Sequence, residues 1–223
     1  MSVFTLKLLA LFFMVIDHIG YFFISDETYY LYRAFGRISA PIFLFLFTEG
    51  YLKTSNRKKY GNRLLTFSIV LFVGNVILKL FLKDNMYPLN TNIIFTMYLC
   101  FLFLNNVECK ERNIGNKILL GTLTLILIYF AEYSFLALLC VIIFYLYNKK
   151  YFSKLQAGLL FVLMSIGYCL LMSNLIQVFM VMAIVPILLY NGKLGYKNKY
   201  IQLFYYWFYM IHLWIFTIIS QFI

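Results

Sequence analysis

Charged residues are scarce in this chain. Only 12% of its positions are Asp, Glu, Lys or Arg against 64% apolar or aromatic, and the mean hydropathy is +0.85. Too little polar surface is available to cover an ordinary soluble domain, which excludes that class. Histidine occurs only at His18 and His212, and cysteine only at Cys100, Cys109, Cys140 and Cys169. The cysteines have no CxxC or Cys/His ligand spacing, so neither a metal site nor a disulfide framework is implied, and they read as small apolar fillers. A glycine-rich phosphate loop, a nucleophilic serine elbow and a zinc signature are all missing. Internal repeats and low-complexity linkers are missing too. No small-residue cleavage site follows the first apolar run, and Asp17 and His18 interrupt it, so it reads as a retained span rather than a signal peptide.

What remains is a succession of apolar runs of membrane-spanning length, at about 3–24, 33–52, 64–83, 92–107, 117–131, 134–148, 155–172, 175–191 and 200–221. They fill the chain and predict one domain over 1–223, an all-α polytopic transmembrane bundle of about nine spans. The stretch 118–147 reads either as one long helix or as a hairpin turning at Glu132, Tyr133 and Ser134. Charge placement separates the two. With the hairpin, fifteen Lys and Arg, at Lys7, 53–63, 110–117, 149–154 and 193–199, fall on one side, against Arg33, Arg37, Lys79 and Lys83 on the other. A single helix makes the division nine against ten. The positive-inside rule selects the hairpin, with the N-terminus cytoplasmic and the C-terminus outside. The net charge of +11 is then explained by topology and anionic headgroups, and the expected partner is the lipid bilayer, with no nucleic acid. The expected location is a bacterial plasma (inner) membrane. An apolar face reads alike toward lipid and toward another subunit, so no oligomeric state is implied.

Ionisable groups in hydrocarbon cost at least a few kcal/mol unless paired or wet, so those present predict a polar cavity. Lys7 and His18 are eleven residues apart, about three turns, and share a helix face with roughly 16 Å between them along the axis. Asp17 lies about 100° around the helix from His18 and is better placed to pair with Arg37. In the second run Arg33 and Arg37 share a face approached by Thr48, and Glu49 stands near its cytoplasmic end. Pro41 cannot donate to the carbonyl of Arg37 and predicts a bend beside the guanidinium. Two other readings stand beside the cavity: Asp17 and His18 as structural partners of the arginines, and arginines snorkelling to headgroups, which suits Arg33 better than Arg37.

In the last run Tyr205, Tyr209 and His212 lie at i, i+4 and i+7 on one face. That spacing suits a buried hydrogen-bond network and the wall of a reaction chamber equally. The loop KTSNRKKYGNR, residues 53–63, carries five positive charges and a tyrosine, and reads as a binding site for the phosphates and adenine of a nucleotide cofactor or as a topological anchor.

The segments LKLLALFFMVIDHIG (6–20), YRAFGRISAPIFLFLFTEGYLKTSNRKKYGNRLLTF (32–67) and FYYWFYMIHLWIF (204–216) resemble the motifs of the TraX family, which is named for a membrane protein that acetylates the N-terminus of conjugative pilin. The order of elements matches along nearly the whole chain, including Asn92 in LNTNIIFT and the pair Glu132 and Tyr133. TraX-like sequences usually have Asp-Tyr followed closely by glycine there; this chain has Glu, then Ser134 and Phe135. The Lys7 to His18 spacing also resembles the basic-x10-His motif of the acyltransferase type 3 membrane family.

The resemblance implies an acetyltransferase using acetyl-CoA as donor, without a metal. On that reading Lys7, Arg57, Lys58, Lys59 and Arg63 hold the donor's phosphates, and neutral His18 is the general base. Arg37, Tyr209 or His212 stabilises the oxyanion, Asp17 belongs with these and His18 to the expected catalytic set, and Arg33, Glu49, Asn92, Glu132 and Tyr205 complete the set of polar candidates. The expected acceptor is the N-terminal amine of a peptide or small protein at the membrane, whose unperturbed pKa near 8 leaves a neutral fraction for an imidazole to deprotonate. A hydroxyl of a cell-envelope glycan or lipid is the rival acceptor. Proton-coupled transport and scaffolding are the readings from other classes, although transport predicts paired broken helices that the sequence does not display.

Overall fold

The computed structural model describes residues 1–82, 92–196 and 198–222, with side-chain placement for all of these but Lys199. Within them the chain is all helical. In order come α1 (Val3–Phe23), α2 (Tyr29–Gly36), α3 (Ser39–Lys53), α4 (Arg57–Phe81), α5 (Ile93–Glu108), α6 (Ile114–Tyr129), α7 (Ser134–Asn148), α8 (Lys154–Met172), a 3-10 helix (Leu175–Ala183), α9 (Ile184–Leu188) and α10 (Lys199–Ile219). Polar side chains set the starts. Ser2, Asn56, Asn92, Asn113, Ser153 and Asn198 each accept a hydrogen bond from a backbone N–H of the first turn they cap.

Among the described residues four segments are long and apolar enough to cross a membrane: Val3–Phe23, Arg57–Phe81, Lys154–Met172 and Tyr200–Ile219. α5, α6 and α7 have 15 or 16 residues and rise only about 22 to 24 Å, short of a hydrocarbon core of about 30 Å. The nine spans read from the sequence, of 15 to 22 residues, are thus, among the described residues, four full-length helices and several shorter apolar ones.

Two expected spans are broken. The run 33–52 divides into α2 and α3 at Arg37 and Ile38, rather than bending at Pro41. Pro41 lacks the N–H that would bond the Arg37 carbonyl, and its ring crowds that carbonyl, so the helix ends there and restarts with Pro41 in its first turn, where proline is tolerated. The run 175–191 becomes a 3-10 helix and the five-residue α9. Pro186 removes the α-type bond to the Met182 carbonyl in the same way.

α3 is the axis of the bundle. Eleven of its fifteen residues are buried, among them Ile42, Leu44, Phe45 and Tyr51, and it packs against α1, α5, α7, the 3-10 helix and α9. Phe45 meets Phe144 edge-on at 5.5 Å, and Phe144 meets Phe161 at 5.4 Å, carrying the core outward through α7 to α8. The outer helices turn apolar side chains outward instead: Phe72 and Leu80 of α4, Leu123 of α6, Leu163 and Leu170 of α8. A core sealed by α3 inside an apolar exterior is the arrangement a lipid solvent selects.

The stretch 118–147 is a hairpin. α6 ends at Tyr129, and α7 starts at Ser134 after a turn in which Tyr133 and Ser134 have φ of 59° and 43°. The loops then gather at two ends. At the basic end Glu108 joins Arg57 and Lys149, Val3 N–H donates to the Lys193 carbonyl (2.9 Å) and Lys53 Nζ to the Gly192 carbonyl (3.3 Å). At the opposite end the α6/α7 turn meets α2 and α5: Arg37 Nη1 donates to the Tyr133 hydroxyl (3.3 Å) and Thr96 Oγ1 to the Glu132 carbonyl (2.9 Å). Lys83, Lys197 and residues 89–91 of LNTNIIFT lie outside the described residues.

Candidate functional site

The two histidines meet. α1 carries His18 and α10 carries His212, and His18 Nδ1 lies 2.7 Å from His212 Nε2 across 194 residues of sequence. The other nitrogen of His212, Nδ1, lies 2.7 Å from the Phe208 carbonyl oxygen one turn back on α10. Phe208 stacks on the His212 ring at 5.3 Å and 18°, and Phe216 closes it edge-on at 5.7 Å. His212 is buried and His18 is part-exposed. The sequence placed both in apolar segments and gave no sign that they touch, because helix packing decides which distant faces oppose.

Asp17, the neighbour of His18, faces elsewhere. Its carboxylate binds Arg33 Nη1 at 2.8 Å and Arg37 Nη2 at 2.8 and 3.1 Å. Arg37 also donates from Nε to the Arg33 carbonyl (3.3 Å) and from Nη1 to Tyr133, and is 7% exposed. Arg33 lies over the rings of Tyr21 and Tyr29 rather than reaching to headgroups. A Cβ at Gly36 would come within 2.1 Å of Asp17 Oδ1, so the glycine is what lets α2 sit on this carboxylate. Asp17, Arg33 and Arg37 thus form an ion-paired staple between α1 and the α2/α3 break. Asp17 and Arg37, both in the expected catalytic set, are paired with one another here, with Arg37 also held by Arg33 and Tyr133.

A cavity of about 710 Å³ opens between α1, α3, α4, α5 and α10. It has three levels. Its mouth, at the basic end, is edged by Lys53, Thr54, Ser55, Tyr196, Asn198 and Gln202. Deeper in, Lys7 and Arg63 face it with Tyr60, Tyr205 and Tyr206. Lys7 Nζ stands 4.7 Å over the Tyr205 ring, and the Arg63 guanidinium 5.3 and 5.7 Å over Tyr60 and Tyr206. The inner end is apolar, made by Met14, Phe43, Ile93, Ile94 and Met97, with Tyr209 beside them. Met14 and Tyr209 stand about one helical turn before His18 and His212, so the cavity stops just short of the imidazole pair.

The wall contains unused hydrogen-bonding capacity. Among the described residues, Tyr205 Oη and Arg63 Nε are buried without a hydrogen-bond partner, and neither Lys7 nor Arg63 is in an ion pair. Buried polar groups of this kind ordinarily find partners. Two cations and a phenol facing one space make a donor set suited to a phosphate or diphosphate. Glu49, in the same wall, is already engaged by Lys53 and the Tyr190 hydroxyl.

The rest of the expected basic site separates from this cavity. Arg57 pairs with Glu108 and covers the Tyr51 ring at 4.6 Å, while Lys58 and Lys59 are exposed and line none of it. Asn92 caps α5 and donates to the Ser68 carbonyl at 2.9 Å, so its side chain is spent on structure. Glu132 lies in the turn at the opposite end, with Oε2 buried and without a hydrogen-bond partner. Sequence reasoning had Tyr60, the tyrosine of the basic loop 53–63, in a cofactor site, and missed Tyr206. It also missed the Phe208 carbonyl, for which no side-chain pattern exists.

Comparison with known proteins adds two findings and one absence. The family model described as TraX protein matches residues 2–220. The probable fimbrial assembly protein FimC, serogroup H1, of Dichelobacter nodosus is 29% identical over 200 residues, covering 81% of this chain and 75% of that one. No solved structure matches.

Proposed function

From the premise that this chain belongs to the TraX family, we propose that it is a membrane acetyltransferase that moves an acetyl group from acetyl-CoA to the N-terminal amine of a membrane-associated peptide or small protein. The basic end faces the cytoplasm on this reading, in a bacterial plasma membrane. One observation carries it: a cavity that climbs α1 and α10 to about one turn before His18, with two cations at its waist, Lys7 and Arg63, that have no ion pair among the described residues. An extended pantetheine arm spans about 15 Å by the reach of an extended chain. The rise from Lys7 to His18 is about 16 Å. A donor whose diphosphate sits at the waist therefore has the length to present its thioester at the imidazole. A protein acceptor is favoured by the relative named for fimbrial assembly.

Acetyl-CoA supplies an acyl group already activated as a thioester. His18 takes the proton that the amine nitrogen sheds as its bond to the acyl carbon forms, and returns it to the sulfur as the carbon–sulfur bond breaks. No covalent enzyme intermediate is needed. Of the groups considered for the oxyanion, Tyr209 is the one that lines the cavity, at its inner end. A well-placed donor there contributes about 3 to 4 kcal/mol.

The test is binding of acetyl-CoA and release of free CoA by protein in nanodiscs. Wild type and His18→Ala should bind alike, with release only by wild type. Lys7→Ala and Arg63→Ala should each weaken binding about tenfold, the loss expected for a charge-assisted hydrogen bond, whereas Lys58→Ala and Lys59→Ala should not. Folded wild-type protein that binds no acetyl-CoA would sink the proposal.

A further inference from the structure

We propose that His212 is a positioning residue that fixes the tautomer of His18 and so selects Nε2 as the basic nitrogen. The inference rests on the acyl-transfer reading for its kinetic consequence and on geometry alone for its structural one.

The argument begins at a carbonyl. The Phe208 oxygen, 2.7 Å from His212 Nδ1, can only accept, so a neutral His212 holds its hydrogen on Nδ1. The opposite tautomer would set a nitrogen lone pair against an oxygen lone pair at hydrogen-bond distance. His212 Nε2 therefore turns a lone pair toward His18, whose Nδ1 at 2.7 Å must donate to it. That leaves the lone pair of His18 on Nε2. The ring of His212 is held in this sense by Phe208, Phe216 and Tyr209, with centroids 5.3, 5.7 and 6.0 Å away. Among the described residues no carboxylate is bonded to either ring, and Asp17, the neighbour of His18, is bound by Arg33 and Arg37.

The same bond serves the charged form. When His18 Nε2 accepts a proton from the attacking amine, its Nδ1–H donates more strongly to the His212 lone pair, and charge-assisted hydrogen bonds are about twice as strong as neutral ones. A carboxylate does this work in serine hydrolases. Here a second imidazole does it without placing a negative charge among phenylalanines. His212 does not carry the proton away, since its Nδ1 hydrogen ends on a backbone carbonyl.

The chain has only two histidines, so ¹⁵N-histidine labelling gives two ring systems that one variant, His212→Phe, assigns. Wild type should show both rings as Nδ1–H tautomers, the less common form of free histidine. A His18 ring in the Nε2–H form overturns the inference whatever the protein's activity. In the kinetic arm, His212→Phe should lower kcat about 100-fold, within the range of general-base contributions, with little change in KM for acetyl-CoA. His212→Gln, whose amide oxygen can accept from His18 Nδ1, should recover part of that loss. Equal loss in both folded variants would remove the positioning role. Absence of acetyl-CoA binding in wild type would sink the acyl-transfer reading, and the tautomer spectrum would still decide this one.

Discussion

Glu108 ends α5 at the basic end, beyond the apolar run, and gathers charges from three loops. Arg57 and Lys149 pair with it, and the hydroxyls of Tyr51 and Tyr145 donate to it. Burial pushes its carboxyl up, but hydrogen bonds from Lys149, Tyr145 and Arg57 outweigh that and hold its pKa at about 2, against 4.5 for an ordinary Glu. A carboxyl that is more acidic folded than unfolded favours folding when ionised. Its contribution is therefore complete above pH 4.5 and is lost as the pH falls toward 2. The unfolding free energies of detergent-solubilised wild type and Glu108→Gln should differ near neutral pH, by about 1 kcal/mol once screening at its part-exposed partners is discounted. The gap should close between pH 4.5 and 2. A gap that stays constant across that window would show that the carboxylate charge is not what joins these loops. The contrast with Lys7 and Arg63 bears on function. Among the described residues Arg57 and Lys149 have a carboxylate, while Lys7 and Arg63 at the cavity's waist have none.

At the scale of elements, the α6/α7 turn shows how a departure from a family pattern becomes backbone strain. TraX-like sequences place a glycine close after the acidic-Tyr pair; this chain has Ser134, and both Tyr133 and Ser134 adopt positive φ. A left-handed residue with a Cβ costs about 1 to 2 kcal/mol. Ser134→Gly should relieve part of that and raise the thermal midpoint, whereas a lowered midpoint would mean that the serine side chain contributes more than its backbone costs. The hairpin itself was legible in the sequence, because only that arrangement collects the basic loops on one side. The break between α2 and α3 was legible in kind but not in place: Pro41 announced an interruption, and the interruption falls four residues earlier, at the carbonyl the proline cannot serve. Pairing between α1 and α10 was not legible. Each helix displayed an apolar run with one histidine, and nothing local to either run specifies the face it turns to a partner about 190 residues away.

At the scale of the whole molecule, the division into a basic end and an opposite end makes the topology testable without any substrate. Ser55, Asn113 and Tyr151 lie in loops at the end where Arg57, Glu108 and Lys149 meet, whereas Asp26 lies between α1 and α2, at the end held by Asp17 and Arg33. Ser173 follows α8, one long helix away from Tyr151. Excess Lys and Arg should hold the first group on the cytoplasmic side. With Cys109 replaced by serine, single cysteines at Ser55, Asn113 and Tyr151 should resist a membrane-impermeant thiol reagent in intact cells, and cysteines at Asp26 and Ser173 should react. The informative position is Tyr151. If residues 118–147 crossed the membrane as one helix, Tyr151 would join Asp26 outside and Ser173 would move in, so labelling at Tyr151 would overturn the hairpin topology. Retention of Tyr151 with Ser55 inside would instead leave the cavity mouth, edged by Lys53, Thr54 and Ser55, open to the compartment that holds acetyl-CoA.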